Sequence, residues 1–204
     1  MVKIKTACAI EPLCAIMTRL RKECPWDAEQ THTSIRPNMI EEAYEAAEAI
    51  DTGDDVLLCE ELGDVLLQVV FHATMAAERN AFTLDDVISG VCAKLVDRHP
   101  HVFGQANVTD SEQVLRNWEQ IKNDSKGFSG LREELNAISK ALPGLVRLQK
   151  VLKKVDKAAV SIPVMGGYEH ELMLLARKAN TDGIDLDTAA AIAGRALIDG
   201  CAGE

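Results

Sequence analysis

The sequence predicts an all-α fold, a bundle of helices. Apolar residues recur at helical spacing in one segment after another, as in Leu13, Ile16, Met17 and Leu20. Proline and capping chemistry stand where helices should begin or end, at Pro12, Pro37, Pro100 and Pro143 and in the pair Thr83 and Asp86. The stretch from Ile40 to Met75 holds two helical segments, each with an acidic pair at i, i+3, separated only by the polar run DTGDD.

In chain order, residues 11 to 23 form the first helix, with Pro12 in its first turn. Pro25 stops it, and CPWDAEQTHTS reads as a polar loop around a lone Trp26. That ring is either a buried anchor or one wall of a pocket for a planar ligand. Pro37 opens the first acidic helix, whose packing stripe is expected to be Ile40, Ala43, Tyr44, Ala47 and Ile50. The second acidic helix continues as VLLQVVFHATMAA, apolar almost all round, which predicts burial and a partner subunit. Thr83 and Asp86 then open a helix from Leu84 to about Arg98, packing through Val87, Val91 and Leu95 and carrying Lys94 and Arg98 at i, i+4. His99 and His101 flank Pro100 with no third ligand nearby and read as turn residues. Ser111 to Lys122 is a further helix with Trp118 and Lys122 at i, i+4. Asn123 to Gly130 has linker composition, and beyond it come a helix, a break at Pro143 and a basic amphipathic helix.

The acidic pairs carry the chemistry. Residues three apart share a helix face, so Glu42 with Glu45 and Glu61 with Asp64 each point one way. A short break folds the second helix back on the first, and four carboxylates converge. Burying such charges unpaired costs several kcal/mol each. A hard divalent cation held through oxygen removes the conflict, Mg²⁺ being the usual one and Mn²⁺ a substitute. A di-iron centre would need Glu-x-x-His on two helices; the one E-x-x-H, Glu29 to His32, lies in the predicted loop.

With 204 residues, 47% hydrophobic and 26% charged, the chain has room for one large domain or two small ones. Its net charge of −10 argues against binding nucleic acid or an anionic membrane non-specifically. Cys8, Cys14, Cys24, Cys59, Cys92 and Cys201 form no C-x-x-C spacing and read as free thiols of a reducing cytoplasm. The start, with Lys3 and Lys5, is interrupted by Glu11 and Pro12 and makes a poor signal peptide. No apolar run reaches the roughly 18 residues of a membrane span. A cytoplasmic, soluble protein is expected.

Shifted by 102 residues, Phe82 to Asp97 lies over Ile184 to Asp199, matching Leu84 with Leu186 and Asp97 with Asp199. At that shift Glu61 and Asp64 meet Pro163 and Gly166, while Lys94 and Arg98 meet Ala196 and Gly200. The second copy has lost its acidic and basic side chains.

The segments CPWDAEQTHTSI, IEEAYEAAEAI, EELGDVLLQVVFHA, KLVDRHPHVFG and NWEQIK, taken in order, resemble the MazG family of nucleoside triphosphate pyrophosphohydrolases from about Leu20 to Lys122. The resemblance implies an all-α NTP pyrophosphatase fold, a homodimer or higher homo-oligomer, and Mg²⁺-dependent cleavage of nucleoside triphosphates to monophosphate and pyrophosphate. It implies Glu42, Glu45, Glu61 and Asp64 as metal ligands, with Glu41 to orient water. Lys94 and Arg98 match residues facing the phosphates, and Trp118 and Lys122 a ring and cation near the nucleotide. Trp26 and Gln30 belong to the same motif, as base-side residues. ALPGLVRLQKVLKKV resembles the opening of a second copy, as in long members. The expected organisation is a MazG-like domain over 1–122, a linker over 123–130 and a degenerate second copy over 131–204. Because the second half departs from the family pattern, a catalytically weak or inactive nucleotide-binding module is the alternative.

Overall fold

The computed structural model describes residues 10–162 and 166–201, and all its regular structure is helical. Lys3, Lys5, Cys8 and Pro163 lie outside the described residues. The chain divides between Ala106 and Asn107 into two compact units, ahead of the boundary at 122 expected from the sequence.

The first unit contains α1 (Glu11–Glu23), α2 (Pro25–Glu29), α3 (Arg36–Thr52), α4 (Asp55–Glu78), α5 (Leu84–Arg98) and α6 (Pro100–Phe103). Its core gathers Met17, Ile35, Val70, Phe71 and Met75. α3 and α4 form an antiparallel hairpin across a break of two residues, shorter than the run DTGDD suggests. Gly53 adopts the left-handed conformation at φ 69°. Its N–H donates to the Ile50 carbonyl (3.2 Å) and the Asp54 N–H to that of Ala49 (3.1 Å), a Schellman closure. The Asp54 carboxylate then caps α4, accepting from the Val56 and Leu57 N–H groups at 3.0 Å each. Since Asp54 takes part in ending one helix and caps the next, no further residues are needed.

The faces that pack differ from expectation. α3 buries Ala46 and Ala49, while Ile40, Tyr44 and Ile50 are exposed. Small side chains on the inner face let the two backbones approach closely, which the larger apolar residues would prevent. α4 buries Gln68 through Ala76 in part, but Val56, Leu62 and Leu66 in its N-terminal half stay exposed. On α5 the stripe Val87, Val91 and Leu95 is likewise exposed, because α5 reaches the core through Leu84 near its start. Its first turn carries the expected capping box, with Thr83 N–H donating to Asp86 at 2.8 Å and Asp86 N–H to the Thr83 hydroxyl at 3.2 Å.

The segment read as a polar loop contains the short helix α2. Five residues cannot hold a helix alone; Arg21 supplies the tie. Its guanidinium donates to the Asp27, Ala28 and Gln30 carbonyls and pairs with Glu78 at the end of α4 (2.7 Å). His32, in the following turn, stacks on His72 of α4 with its Nδ1 2.7 Å from the other ring's Nδ1. His99 stands between α5 and α6 as expected of a turn residue, its Nδ1 lying 2.6 Å from the Leu95 carbonyl oxygen, whereas His101 lies on α6 instead of in a turn.

The second unit contains α7 (Ser111–Asp124), α8 (Leu131–Asn136), α9 (Gly144–Lys157), α10 (Gly167–Asp182) and α11 (Leu186–Cys201). Leu152, Met173, Ala176, Ala179 and Leu186 form its core. Gln149 is buried, donating to the Ile184 carbonyl (2.8 Å) and accepting from the Leu186 N–H (2.9 Å), so one side chain fixes the start of α11. α11 begins at Leu186, 102 residues after the start of α5 at Leu84, and α10 begins at Gly167.

Candidate active site

The α3–α4 hairpin turns two sequence patterns into one cluster. Ala46 and Ala49 lie on the face of α3 that also carries Glu42 and Glu45, and their burial draws that face toward α4. Glu42, Glu45 and Glu61 can each offer an oxygen such that all three lie within 4.8 Å of one another. Asp64, one turn beyond Glu61, acts electrostatically on both Glu42 and Glu61.

The strain between these groups shows in their protonation. Partial burial raises the Glu42 carboxyl above its ordinary value, and the Asp64 charge, a hydrogen bond with Glu45 and the charges of Glu45 and Glu41 raise it further. Glu61 is raised by desolvation and by the charges of Glu45, Asp64 and Glu60. Among the described residues none of the four pairs with a Lys or Arg. An all-oxygen donor set with unrelieved negative charge suits a hard divalent cation. The residues present therefore fit a divalent cation, whichever one it is.

The other expected residues lie on several elements of the two units. Glu41 is exposed beside Glu42. Lys94 is exposed and Arg98 half-buried on the C-terminal half of α5, a helix that packs against α4. Trp118 and Lys122 lie on α7 in the second unit, the ammonium 4.8 Å from the indole ring centroid, a cation–π pair. Trp26 is 59% exposed rather than a buried anchor, and it lines a cavity of about 130 Å³. Gln30 does not line that cavity. Its amide donates to the Trp26 carbonyl and accepts from Ser34, both at 2.8 Å, and so fixes the turn that presents the indole. Sequence reasoning missed Arg21, which holds α2 in place, and Asn38, which faces the Trp26 cavity. Gln68 stands in line with Glu61 and Asp64 in the sequence, but spacing alone gives it no role.

Residues 30–103 match the model of the MazG nucleotide pyrophosphohydrolase domain, a span that holds the acidic cluster, Lys94 and Arg98. The nucleoside triphosphate pyrophosphohydrolase of Escherichia coli strain K12 is 39% identical over 188 residues, covering 87% of this chain and 72% of that protein. The chain belongs to the MazG family. The MazG protein of Thermotoga maritima, named a nucleoside triphosphate pyrophosphohydrolase/pyrophosphatase, is 48% identical over 149 residues, 71% of this chain and 57% of its own length. An uncharacterized protein of Bacillus subtilis, YabN, is 49% identical over 130 residues, and this chain spans 26% of its length. A crystal structure of a mazG-related protein from Thermotoga maritima aligns at a TM-score of 0.48 and 27% identity, over 55% of this chain and 98% of that one. No helix among the described residues is long and apolar enough to cross a membrane.

Proposed function

We propose that this chain hydrolyses nucleoside triphosphates to the nucleoside monophosphate and pyrophosphate. The observation that carries the reading is the convergence of Glu42, Glu45 and Glu61 within 4.8 Å, with Asp64 acting on the same cluster and, among the described residues, no Lys or Arg paired with it. Membership of the MazG family and the activity for which the Escherichia coli relative is named support it.

In this reading Glu42, Glu45, Glu61 and Asp64 hold Mg²⁺, for which Mn²⁺ substitutes. When bound, the ion neutralises phosphate charge that would otherwise repel both the carboxylates and an attacking water. Glu41, outside the ligand set and next to it, orients that water and takes its proton. Oxygen of water bonds to the α-phosphorus while the bond from that phosphorus to the bridging oxygen breaks, and pyrophosphate leaves with the electron pair. Lys94 and Arg98 offset the charge that builds on the leaving group. Trp26 contributes a ring wall on the base side, and Trp118 with Lys122 a further ring and cation for the nucleotide.

We further read residues 131–204 as a degenerate second copy without a metal site, and the active form as a homodimer or larger homo-oligomer in the cytoplasm. The cysteines among the described residues are all free, in keeping with a reducing compartment. The test is product analysis with a deoxynucleoside triphosphate and Mg²⁺. Pyrophosphate and the monophosphate are expected in equal amounts, and release of orthophosphate would overturn the reading.

A further inference from the structure

The basic helix α9 has no part in the reaction above. Its five cations, Arg147, Lys150, Lys153, Lys154 and Lys157, stand against one acid, Asp156, which Arg177 already pairs. A chain of net charge −10 thus gathers positive charge on one short helix. Lys150, Lys153 and Lys154 share a face at i, i+3, i+4. That face lines a cavity of about 390 Å³ that lies wholly within the second unit.

Ion pairs frame this cavity and use up its acids. Lys154 Nζ pairs with Glu134 of α8 at 2.9 Å and with Glu119 of α7 at 3.5 Å, tying three helices together. Lys157 takes the other oxygen of Glu119 at 3.2 Å. Both carboxylates of the lining are thereby neutralised. Lys126, Lys150 and Lys153 line the cavity as well, and among the described residues none of them has an acidic partner. Lys122 lines it too, but its ammonium is engaged 4.8 Å from the centre of the Trp118 ring.

The rest of the wall is apolar, with Phe128, Leu142 and Ile138, the last only 8% exposed. Lys126 Nζ lies 5.5 Å from the Phe128 ring centroid, so a charge and a ring stand side by side. A merely solvated basic face needs no such hollow, and a merely apolar hollow needs no unmatched cations. Apolar walls with a few charged groups to orient the occupant are what a small-molecule site requires.

We propose that this cavity binds a small organic phosphate, its anionic group met by Lys126, Lys150 and Lys153 and its apolar or planar body by Phe128, Ile138 and Leu142. A nucleoside monophosphate has that combination of charge and body. The acidic cluster of the first unit needs a divalent cation before it accepts a phosphate, whereas this cavity supplies its own positive charge. The proposal therefore does not rest on the hydrolase reading.

The test is NMR of the full chain with labelled isoleucine methyls, in EDTA, titrated with AMP and with inorganic pyrophosphate. AMP is expected to shift the Ile138 methyl signal saturably, with a Kd of about 1 mM or tighter. Pyrophosphate, which buries no ring, should bind at least about tenfold more weakly. The double variant Lys150→Gln, Lys153→Gln changes two exposed side chains and should keep the wild-type melt. It should weaken AMP at least about tenfold, and added salt should weaken AMP in the wild type. No shift of Ile138 with AMP at about ten times that Kd, unchanged affinity in the double variant, or pyrophosphate binding as tightly as AMP would each overturn the proposal. A parallel assay of pyrophosphate release from a deoxynucleoside triphosphate and Mg²⁺ separates the two readings. AMP binding without hydrolysis sinks only the hydrolase, and hydrolysis without AMP at Ile138 sinks only this site.

Discussion

Replacing Glu42, Glu45 or Asp64 by Ala removes an oxygen donor from the cluster and leaves the Ala46–Ala49 packing face intact. Each variant should lose at least about 100-fold in kcat, the scale of several kcal/mol of charge stabilisation. Its circular dichroism should match wild type, and retained turnover in any of them would remove that residue from the site. The protonation of the cluster predicts a pH effect of definite sign. Glu42 and Glu61 are both raised above 4.5, so the folded chain holds protons that the unfolded chain has released. Their contribution is therefore favourable below that pH and is lost as pH rises through the folded values. In EDTA, Glu61→Gln should melt above wild type by a margin that widens as pH rises past about 4.5. Mg²⁺ should close the margin, and a gap constant with pH would contradict the account. The convergence of Glu42, Glu45 and Glu61 was legible because i, i+3 spacing survives in one dimension. The places of Asn38, Asp27 and Arg21 were not, since they depend on how α1, α2 and α4 meet, which spacing does not encode.

The hairpin between α3 and α4 depends on its connection. Gly53 sits at φ 69° with open space where a Cβ would stand. Gly53→Ala therefore meets no neighbour and carries only the left-handed backbone penalty, about 1 kcal/mol. Urea unfolding should report that loss with an unchanged slope, and a neutral result would mean that the turn relaxes. Helix limits at this scale were close to what caps and prolines predict, as Leu84 to Arg98 shows. Which face of each helix turns inward was read less well. The rule that large apolar residues face the core failed at Ile40, Tyr44 and Ile50. Close approach of α3 to α4 favours alanine inside, and the larger side chains are left for another surface.

At the scale of the whole molecule, the first unit holds an acidic cluster and a small cavity lined by Trp26, and leaves two apolar surfaces uncovered. Leu62 and Leu66 on α4 and Val87, Val91 and Leu95 on α5 are 38% to 54% exposed. Covering such surfaces with a second copy gains about 25 cal/mol per Å² of apolar area. Sedimentation should find a dimer or larger species, and Leu62→Glu should shift it toward monomer. Persistence of a wild-type monomer would refute the assembly. The uncovered stripe also makes unfolding a reaction of changing molecularity. If subunits must part for α4 to melt, the thermal midpoint will climb with protein concentration, and dilution alone will act as a denaturant.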